Sequence, residues 1–403
     1  MNTSATPRPL IAIACGGTGG HLFPGLAVAG ELLQRDSDVM LLISPKEVDQ
    51  QAVQAARDME VVTLPAVGLT RGGLISFAKG FWNSYRSAKA LFRKRIPAAV
   101  LAMGGFTSAP PVFAARHLGA KTFLHEANSV PGRANRWLAH VVNDAFVYFH
   151  GSSSNLAMQN IHVTGMPVRP QFLEPADPAA ARMALGLKPH QPVLLVMGGS
   201  QGASGINRLV TETAPLLAER LPDLQFLHLT GPNDTQSVQA AYAAAKCRAV
   251  VRPFLTEMDL ALASATVAIS RAGASSLAEL AALRVPAVLI PYPHAADDHQ
   301  YYNALAVVES GAARMLEQAT ATPQFLCSHA VELVTDERAR SSIQTALARW
   351  HMPGAASDIA TRILTALARG NASLATGQNI QPASNTSDNN AALRQLETEE
   401  THV

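Results

Sequence analysis

The chain has 403 residues, 48% of them hydrophobic and 15% charged, and a formal net charge of +2. That length and composition suit an α/β protein of two domains with well-buried cores, and the near-neutral charge gives no reason to expect a nucleic-acid partner. The cysteines Cys15, Cys247 and Cys327 follow no disulfide or metal spacing and fit a reducing cytosol; the N-terminus lacks the apolar region of a signal peptide, and no stretch of about 18 uncharged apolar residues predicts a transmembrane helix.

Strands and helices alternate along the chain, the pattern of parallel, doubly wound sheets. In the first half, strands are predicted at 10–15, 39–43, 60–64, 98–103, 121–124 and 144–148, with helices between them, as at 24–35 and 133–141. The first strand runs into Gly16-Gly17-Thr18-Gly19-Gly20-His21, and the fourth into Gly104-Gly105-Phe106-Thr107-Ser108. Segment 72–95 combines Leu74, Ile75, Phe77, Phe81 and Trp82 with Lys79, Arg86, Lys89, Arg93, Lys94 and Arg95. Such a stretch reads both as a surface for anionic lipid and as a domain helix whose later turns, at Ala88, Leu91 and Phe92, join the core.

Two prolines near a glycine at 163–170 mark a domain boundary. Beyond it, strands are predicted at 193–197, 224–229, 249–251, 266–270 and 286–290, and the first of these runs into Gly198-Gly199-Ser200-Gln201-Gly202. The expected organisation is a first domain over 8–165 and a second over 166–345. A C-terminal helix over 346–370 would pack back on the first domain. The tail over 371–403, rich in Asn, Ser, Thr, Gln and Ala, is expected to be disordered.

A buried strand ending in a glycine loop that opens a helix is suited to phosphate. Glycine lets the backbone approach a diphosphate, and the helix N-terminus offers N–H groups and a positive dipole end. Two such units imply two nucleotide-type domains across a cleft and two diphosphate-bearing substrates; read alone, each loop is also a tight strand-to-helix turn. The P-loop spacing is absent, and no acidic residue ends the second strand as a nicotinamide-binding oxidoreductase would require. His21 follows the first loop at a helix N-terminus, where the dipole keeps an imidazole neutral and basic. It is a candidate general base; it would otherwise hydrogen-bond a phosphate or a backbone group. Glu126 is the rival base, or a partner that orients His21. Ser276-Leu277-Ala278-Glu279 also matches a helix capping box, Leu255 fits a core residue after a strand, and Gln300 and Asn303 fit a polar helix face.

Read together, several segments resemble the MurG family. They are Gly16-Gly17-Thr18-Gly19-Gly20-His21 with Phe23-Pro24-Gly25, Gly104-Gly105-Phe106, His125-Glu126-Ala127-Asn128 and Gly198-Gly199-Ser200-Gln201-Gly202. The set is completed by Ser270-Arg271-Ala272-Gly273-Ala274-Ser275-Ser276-Leu277-Ala278-Glu279 and Pro291-Tyr292-Pro293-His294-Ala295-Ala296-Asp297-Asp298-His299-Gln300-Tyr301-Tyr302-Asn303, in family order over 8–365. The family often has Gln where this chain has Ala127, and Asn where it has Met166.

The resemblance implies a GT-B fold, two Rossmann-like domains facing a cleft. It implies an inverting transfer of GlcNAc from UDP-GlcNAc to the muramoyl 4-hydroxyl of undecaprenyl-diphospho-muramoyl-pentapeptide. The alternatives are another GT-B enzyme such as a UDP-GlcNAc 2-epimerase or, in a different class, the oxidoreductase. No cofactor or metal is expected, because Asp297-Asp298 is adjacent rather than spaced as Asp-x-Asp; backbone N–H groups would stabilise the leaving diphosphate.

By resemblance, UDP-GlcNAc would be held by Thr18, Gly19, Gly20, Arg169, Ser200, Gln201, Gly202 and the run Ala274, Ser275, Ser276, Leu277 and Ala278. Leu255 would lie against uracil, Glu279 on the ribose hydroxyls, and Asn128, Gln300 and Asn303 on the sugar. Gly16, Gly17, Gly104 and Gly105 would form the acceptor loops. The resemblance places the protein peripherally on the cytoplasmic face of the bacterial inner membrane, with the anionic membrane surface and other cell-wall synthesis proteins as partners.

Overall fold

The computed structural model describes residues 8–17, 19–46, 59–65, 73–199 and 201–376. Residues through Ile363 form one compact unit that carries two parallel sheets. The first sheet holds β1 (Leu10–Ala14), β2 (Asp38–Ile43), β3 (Glu60–Thr63), β4 (Ala99–Ala102), β5 (Lys121–Glu126), β6 (Asp144–Val147) and β7 (Ile161–Val163), in the order β3-β2-β1-β4-β5-β6-β7. The second holds β8 (Val193–Met197), β9 (Gln225–Leu229), β10 (Arg248–Arg252), β11 (Val267–Ser270), β12 (Ala287–Leu289) and β13 (Arg314–Met315), in the order β10-β9-β8-β11-β12-β13. The short edge strands β7 and β13 are absent from the sequence-based expectation. Central strands such as β1, β4 and β8 are buried along their whole length, as expected of parallel strands covered by helices on both faces.

The helices in chain order are α1 (Gly19–Leu33), α2 (Gly73–Lys94), α3 (Ala109–His117), α4 (Arg133–Leu138), α5 (Pro178–Ala184), α6 (Ser204–Arg220), α7 (Thr235–Ala244), α8 (Met258–Ser264), α9 (Ala274–Ala282), α10 (His299–Glu309), α11 (Pro323–Thr335), α12 (Glu337–Ala348) and α13 (Ala355–Thr376). Helix α1 starts directly after the glycine loop and carries Pro24 inside it, where the sequence suggested a start at 24. Pro24 is the sixth residue of the helix, and the N–H it lacks leaves the Gly20 carbonyl to accept from elsewhere. Helix α13 continues to Thr376, so residues 371–376 are helical rather than disordered as expected; residues 377–403 lie outside the described ones.

Two parallel sheets with a helix after most strands place the functional loops. In each sheet the strand order reverses between two central neighbours, β1 and β4 in the first and β8 and β11 in the second. Ala14 pairs with Ala102 and Met197 with Ser270 at the C-terminal ends of these strands. Ligands of open α/β sheets bind at such switch points, because the loops leaving the two strands diverge and open a crevice.

The chain passes between the sheets twice, after β7 and again before α13. Met352 packs directly against Gly165, and Trp350 lies edge-on to Tyr148 and Phe149 at 5.9 and 5.3 Å between ring centroids. Beyond the second crossing, Arg35 in the turn after α1 donates to the Ser357 hydroxyl at 2.6 Å, and Arg362 donates to His162 Nδ1 at 2.9 Å. No described helix is long and apolar enough to cross a membrane.

Candidate functional site

Four candidate loops stand at the two switch points. In the first sheet, the backbone after β1 turns through Gly16 and Gly17 into α1; Thr18 lies outside the described residues. The Gly16 carbonyl accepts from Thr107 Oγ1 at 2.8 Å and the Gly17 carbonyl from Lys46 Nζ at 2.9 Å, so residues following β4 and β2 pin the loop. Thr107 belongs to the glycine loop predicted after the fourth strand, whereas Lys46 carries no such signal in the sequence.

His21 sits in the first turn of α1, and its ring lies on the loop after β4. A Cβ at Gly104 would come 2.8 Å from His21 Nε2, and one at Gly105 would come 3.4 Å from its Cε1. Gly104 also has φ +118°, a conformation that side-chain-bearing residues rarely adopt. The two glycines thus form the bed of the imidazole, which brings the predicted residues His21, Gly104 and Gly105 together.

In the second sheet, β8 leads through the second glycine loop into α6. Ser200 lies outside the described residues, and Gln201 is exposed. Gly202, at φ +76°, rests on the backbone after β9: a Cβ there would come 2.1 Å from the Thr230 carbonyl oxygen. The other switch-point strand, β11, leads through Arg271-Ala272-Gly273 into α9. The N-cap of α9 is Gly273, with no side-chain cap, so the first-turn N–H groups are left for an anion.

The two sheets' loops meet here. Ser275 Oγ in the first turn of α9 donates to the Gly20 carbonyl at 3.3 Å. Ala274, Leu277 and Ala278 face the core at 7%, 3% and 3% exposure, which leaves Ser275 and Ser276 as the accessible part of that run.

Glu279 lies one turn further along α9. The capping-box alternative fails, because Ser276 is inside the helix rather than at its cap. Its carboxylate pairs with Arg169 at 3.3 Å. Burial pushes the Glu279 pKa up to about 7 against the opposing pull of Arg169. The Arg169 guanidinium stacks on Phe23 of α1 and on Phe172, at 4.6 and 4.8 Å, and so joins the glycine-loop helix of the first sheet to α9 of the second.

Several predicted residues are spent within the protein. Both oxygens of Glu126, which is 1% exposed, are filled: one accepts the Asn128 backbone N–H and side-chain amide at 2.8 and 3.2 Å, the other the Gly132 N–H and the Asn135 amide at 2.9 and 2.8 Å. Burial still outweighs these four donors and raises its pKa. A carboxylate with every lone pair occupied has none open for a substrate proton, so the reading of Glu126 as base does not fit; it organises the loop 126–135.

Asn303, fully buried, accepts from Ser129 N at 2.8 Å and donates to Asn128 Oδ1 and the Ala272 carbonyl, each at 3.1 Å. The expected reach of Asn128 across the cleft exists, but it ends on Asn303 and both amides are used. Gln300 likewise accepts from the Tyr292 and Ala272 backbone N–H groups at 3.0 and 3.3 Å. Leu255 is 5% exposed and packs in the hydrophobic core around the second sheet. A further cross-cleft contact went unanticipated: Arg133 and Arg136 of α4 pair with Asp297 at 2.7 and 2.6 Å and hold its carboxyl below its usual pKa.

On α2, Ile75 and Trp82 are 85% and 56% exposed. Phe77 and Phe81 are only half-exposed, since Phe77 packs edge-on against Phe106 and Phe81 lies between Phe113 and Trp137. Of the expected contact residues, Ile75 and Trp82 are thus the most exposed; Trp137 on α4, beside Phe81, is 45% exposed. The Leu74 side chain lies outside what is described.

Comparisons with known proteins bear on this arrangement. The glycosyltransferase family 28 N-terminal domain matches residues 11–147, and the glycosyltransferase family 28 C-terminal domain matches residues 193–358. A UDP-N-acetylglucosamine--N-acetylmuramyl-(pentapeptide) pyrophosphoryl-undecaprenol N-acetylglucosamine transferase of Geobacter sulfurreducens is 37% identical over 332 residues, 81% of this chain and 90% of that protein. The protein of the same name from Anaeromyxobacter dehalogenans is 34% identical over 357 residues, 86% of this chain and 90% of that protein.

The chain belongs to the MurG family of glycosyltransferases. Among solved structures, the MurG of Acinetobacter baumannii superposes with a TM-score of 0.69 at 26% identity, covering 89% of this chain and all of that one. A UDP-N-acetylglucosamine 2-epimerase shares the fold at a TM-score of 0.67 and 15% identity. With MurG and other GT-B enzymes as neighbours, the two-sheet architecture is the GT-B fold. The MurG relatives also set the 2-epimerase alternative aside.

Proposed function

We propose that this protein transfers GlcNAc from UDP-GlcNAc to the muramoyl 4-hydroxyl of undecaprenyl-diphospho-muramoyl-pentapeptide. The observation that carries the reading is the meeting of the two switch points, where Gly20 in the first turn of α1 accepts from Ser275 at the opening of α9 and the neighbouring His21 lies on Gly104 and Gly105. In this reading the His21 imidazole takes the 4-hydroxyl proton as that oxygen attacks the sugar C1 on the face opposite the diphosphate. The bond from C1 to the diphosphate oxygen breaks, and UDP leaves with the charge stabilised by the N–H groups of α9 and the second glycine loop. A single displacement inverts C1. Glu279 accepts hydrogen bonds from the ribose hydroxyls. Asn303 reaches the sugar only after exchanging partners it holds in this structure, whereas Gln300 contacts it through its amide nitrogen. Ile75, Trp82 and Trp137 set the chain on an anionic membrane surface, where a polyprenyl acceptor stays.

The test is a transfer assay with labelled UDP-GlcNAc and a lipid-linked muramoyl-pentapeptide, with and without EDTA. Acceptor-dependent disaccharide that survives EDTA supports the reading. Conversion of UDP-GlcNAc without acceptor would overturn it in favour of epimerisation or hydrolysis.

A further inference from the structure

Beneath the second glycine loop runs a buried polar chain that the reaction above does not use. His228 on β9 is fully buried, with Nδ1 3.0 Å from the Tyr242 hydroxyl and Nε2 3.0 Å from Asn207 Oδ1. The Asn207 amide, on the first turns of α6, donates to the Thr230 carbonyl at 2.9 Å and to Asp234 Oδ2 at 2.8 Å. Both amide protons are thus used, so Asn207 Oδ1 only accepts, His228 Nε2 carries the imidazole proton, and Nδ1 accepts from Tyr242. Every bond runs in one direction, from Tyr242 through His228 and Asn207 to Thr230. The last acceptor, the Thr230 carbonyl, is the group on which Gly202 rests. Burial holds His228 neutral, with its pKa pushed down to about 3, so the chain keeps this direction through the physiological range.

We propose that His228 is a positioning residue for the diphosphate of the donor: through Asn207 it fixes the Thr230 carbonyl and with it the backbone of the second glycine loop. The inference rests on reading that loop as the diphosphate site. The adjoining strands carry the same linkage, since His228 pairs in register with Val196, two residues before Gly198. Leucine at 228 fills the space but leaves Asn207 Oδ1 and the Tyr242 hydroxyl without their partner. Glutamine restores one donor and one acceptor.

The experiment measures UDP and uridine affinities by calorimetry for the parent, His228→Leu, His228→Gln and Tyr242→Phe, with folding checked by circular dichroism. His228→Leu is expected to weaken UDP about tenfold while changing uridine by less than about twofold, as for one lost hydrogen-bonding linkage on the phosphate side. His228→Gln should return UDP to within about threefold of the parent. A merely structural role would lower both affinities together or neither. If His228→Leu does not fold, Tyr242→Phe decides, with an expected drop of about threefold in the UDP-to-uridine affinity ratio. A folded variant with an unchanged ratio overturns the inference. A parent that binds no UDP overturns the donor-loop reading itself, which separates the two failures.

Discussion

Replacing Glu279 by Gln separates the cost of burying that carboxylate from its use. The carboxyl moves from an ordinary 4.5 to about 7 in the folded chain, chiefly through burial. At about 1.4 kcal/mol per pH unit, ionising it in the fold costs about 3 kcal/mol more than ionising it in the unfolded chain. The sign follows from where the proton is held. Between pH 4.5 and about 7 the folded state binds the extra proton, so stability is greatest below the unfolded value and is lost as pH rises through the folded one. Urea unfolding of parent and Glu279→Gln from pH 4 to 9 isolates this group, because the other titrating groups are common to both chains. The parent should lose about 3 kcal/mol relative to the variant across that window, and UDP affinity, which needs the ionised carboxylate for the ribose, should rise with pH toward a plateau above 7 in the parent and stay flat and weaker in the variant. Parallel stability curves, or UDP binding in the variant equal to the parent's at every pH, would refute the reasoning.

His21→Ala should lower kcat by about 100-fold or more, as loss of a general base does, with UDP affinity unchanged; a loss under tenfold rejects the base assignment. Gly104→Ala, whose Cβ would fall 2.8 Å from His21 Nε2 at a φ of +118°, should reproduce part of that kcat loss with little change in UDP affinity; unaltered kinetics would deny the imidazole its bed. Asn303→Ala takes the partner from the half-buried Ser129 N–H and the buried Ala272 carbonyl and should cost about 3 kcal/mol in urea unfolding; a cost under about 1 kcal/mol would show the cross-cleft contact to be dispensable. Ile75→Ser with Trp82→Ser should weaken cosedimentation with anionic liposomes about tenfold or more, at about 25 cal/mol for each Å² of apolar surface kept from the bilayer, and spare UDP binding; full retention on liposomes removes this surface.

The strands and glycine loops were legible because their signals are local. An apolar run ending in glycine says strand, then turn, with no knowledge of what lies opposite, and the loops stand where the two sheets reverse order. What was not legible is which polar side chains the protein uses for itself. Glu126 looks like a base until Asn128, Gly132 and Asn135 fill its oxygens, and Asn303 looks like a sugar contact until Ser129 and Asn128, some 175 positions away, take its amide. The Arg133–Asp297 pair spans 164 positions, and residues so distant in sequence carry no sign of each other in a single chain. The edge strands β7 and β13, three and two residues long, are too short to show a period. Phe77 and Phe81 share the composition of Ile75 and Trp82, and only the presence of Phe106, Phe113 and Trp137 tells them apart.

The two crossings between the sheets touch each other at Gly165 and Met352. The two links between the sheets are thus joined at one place rather than held apart, and together they make a single connection. A side chain at 165 would have to displace Met352, so a residue without one is what lets the two crossings lie this close.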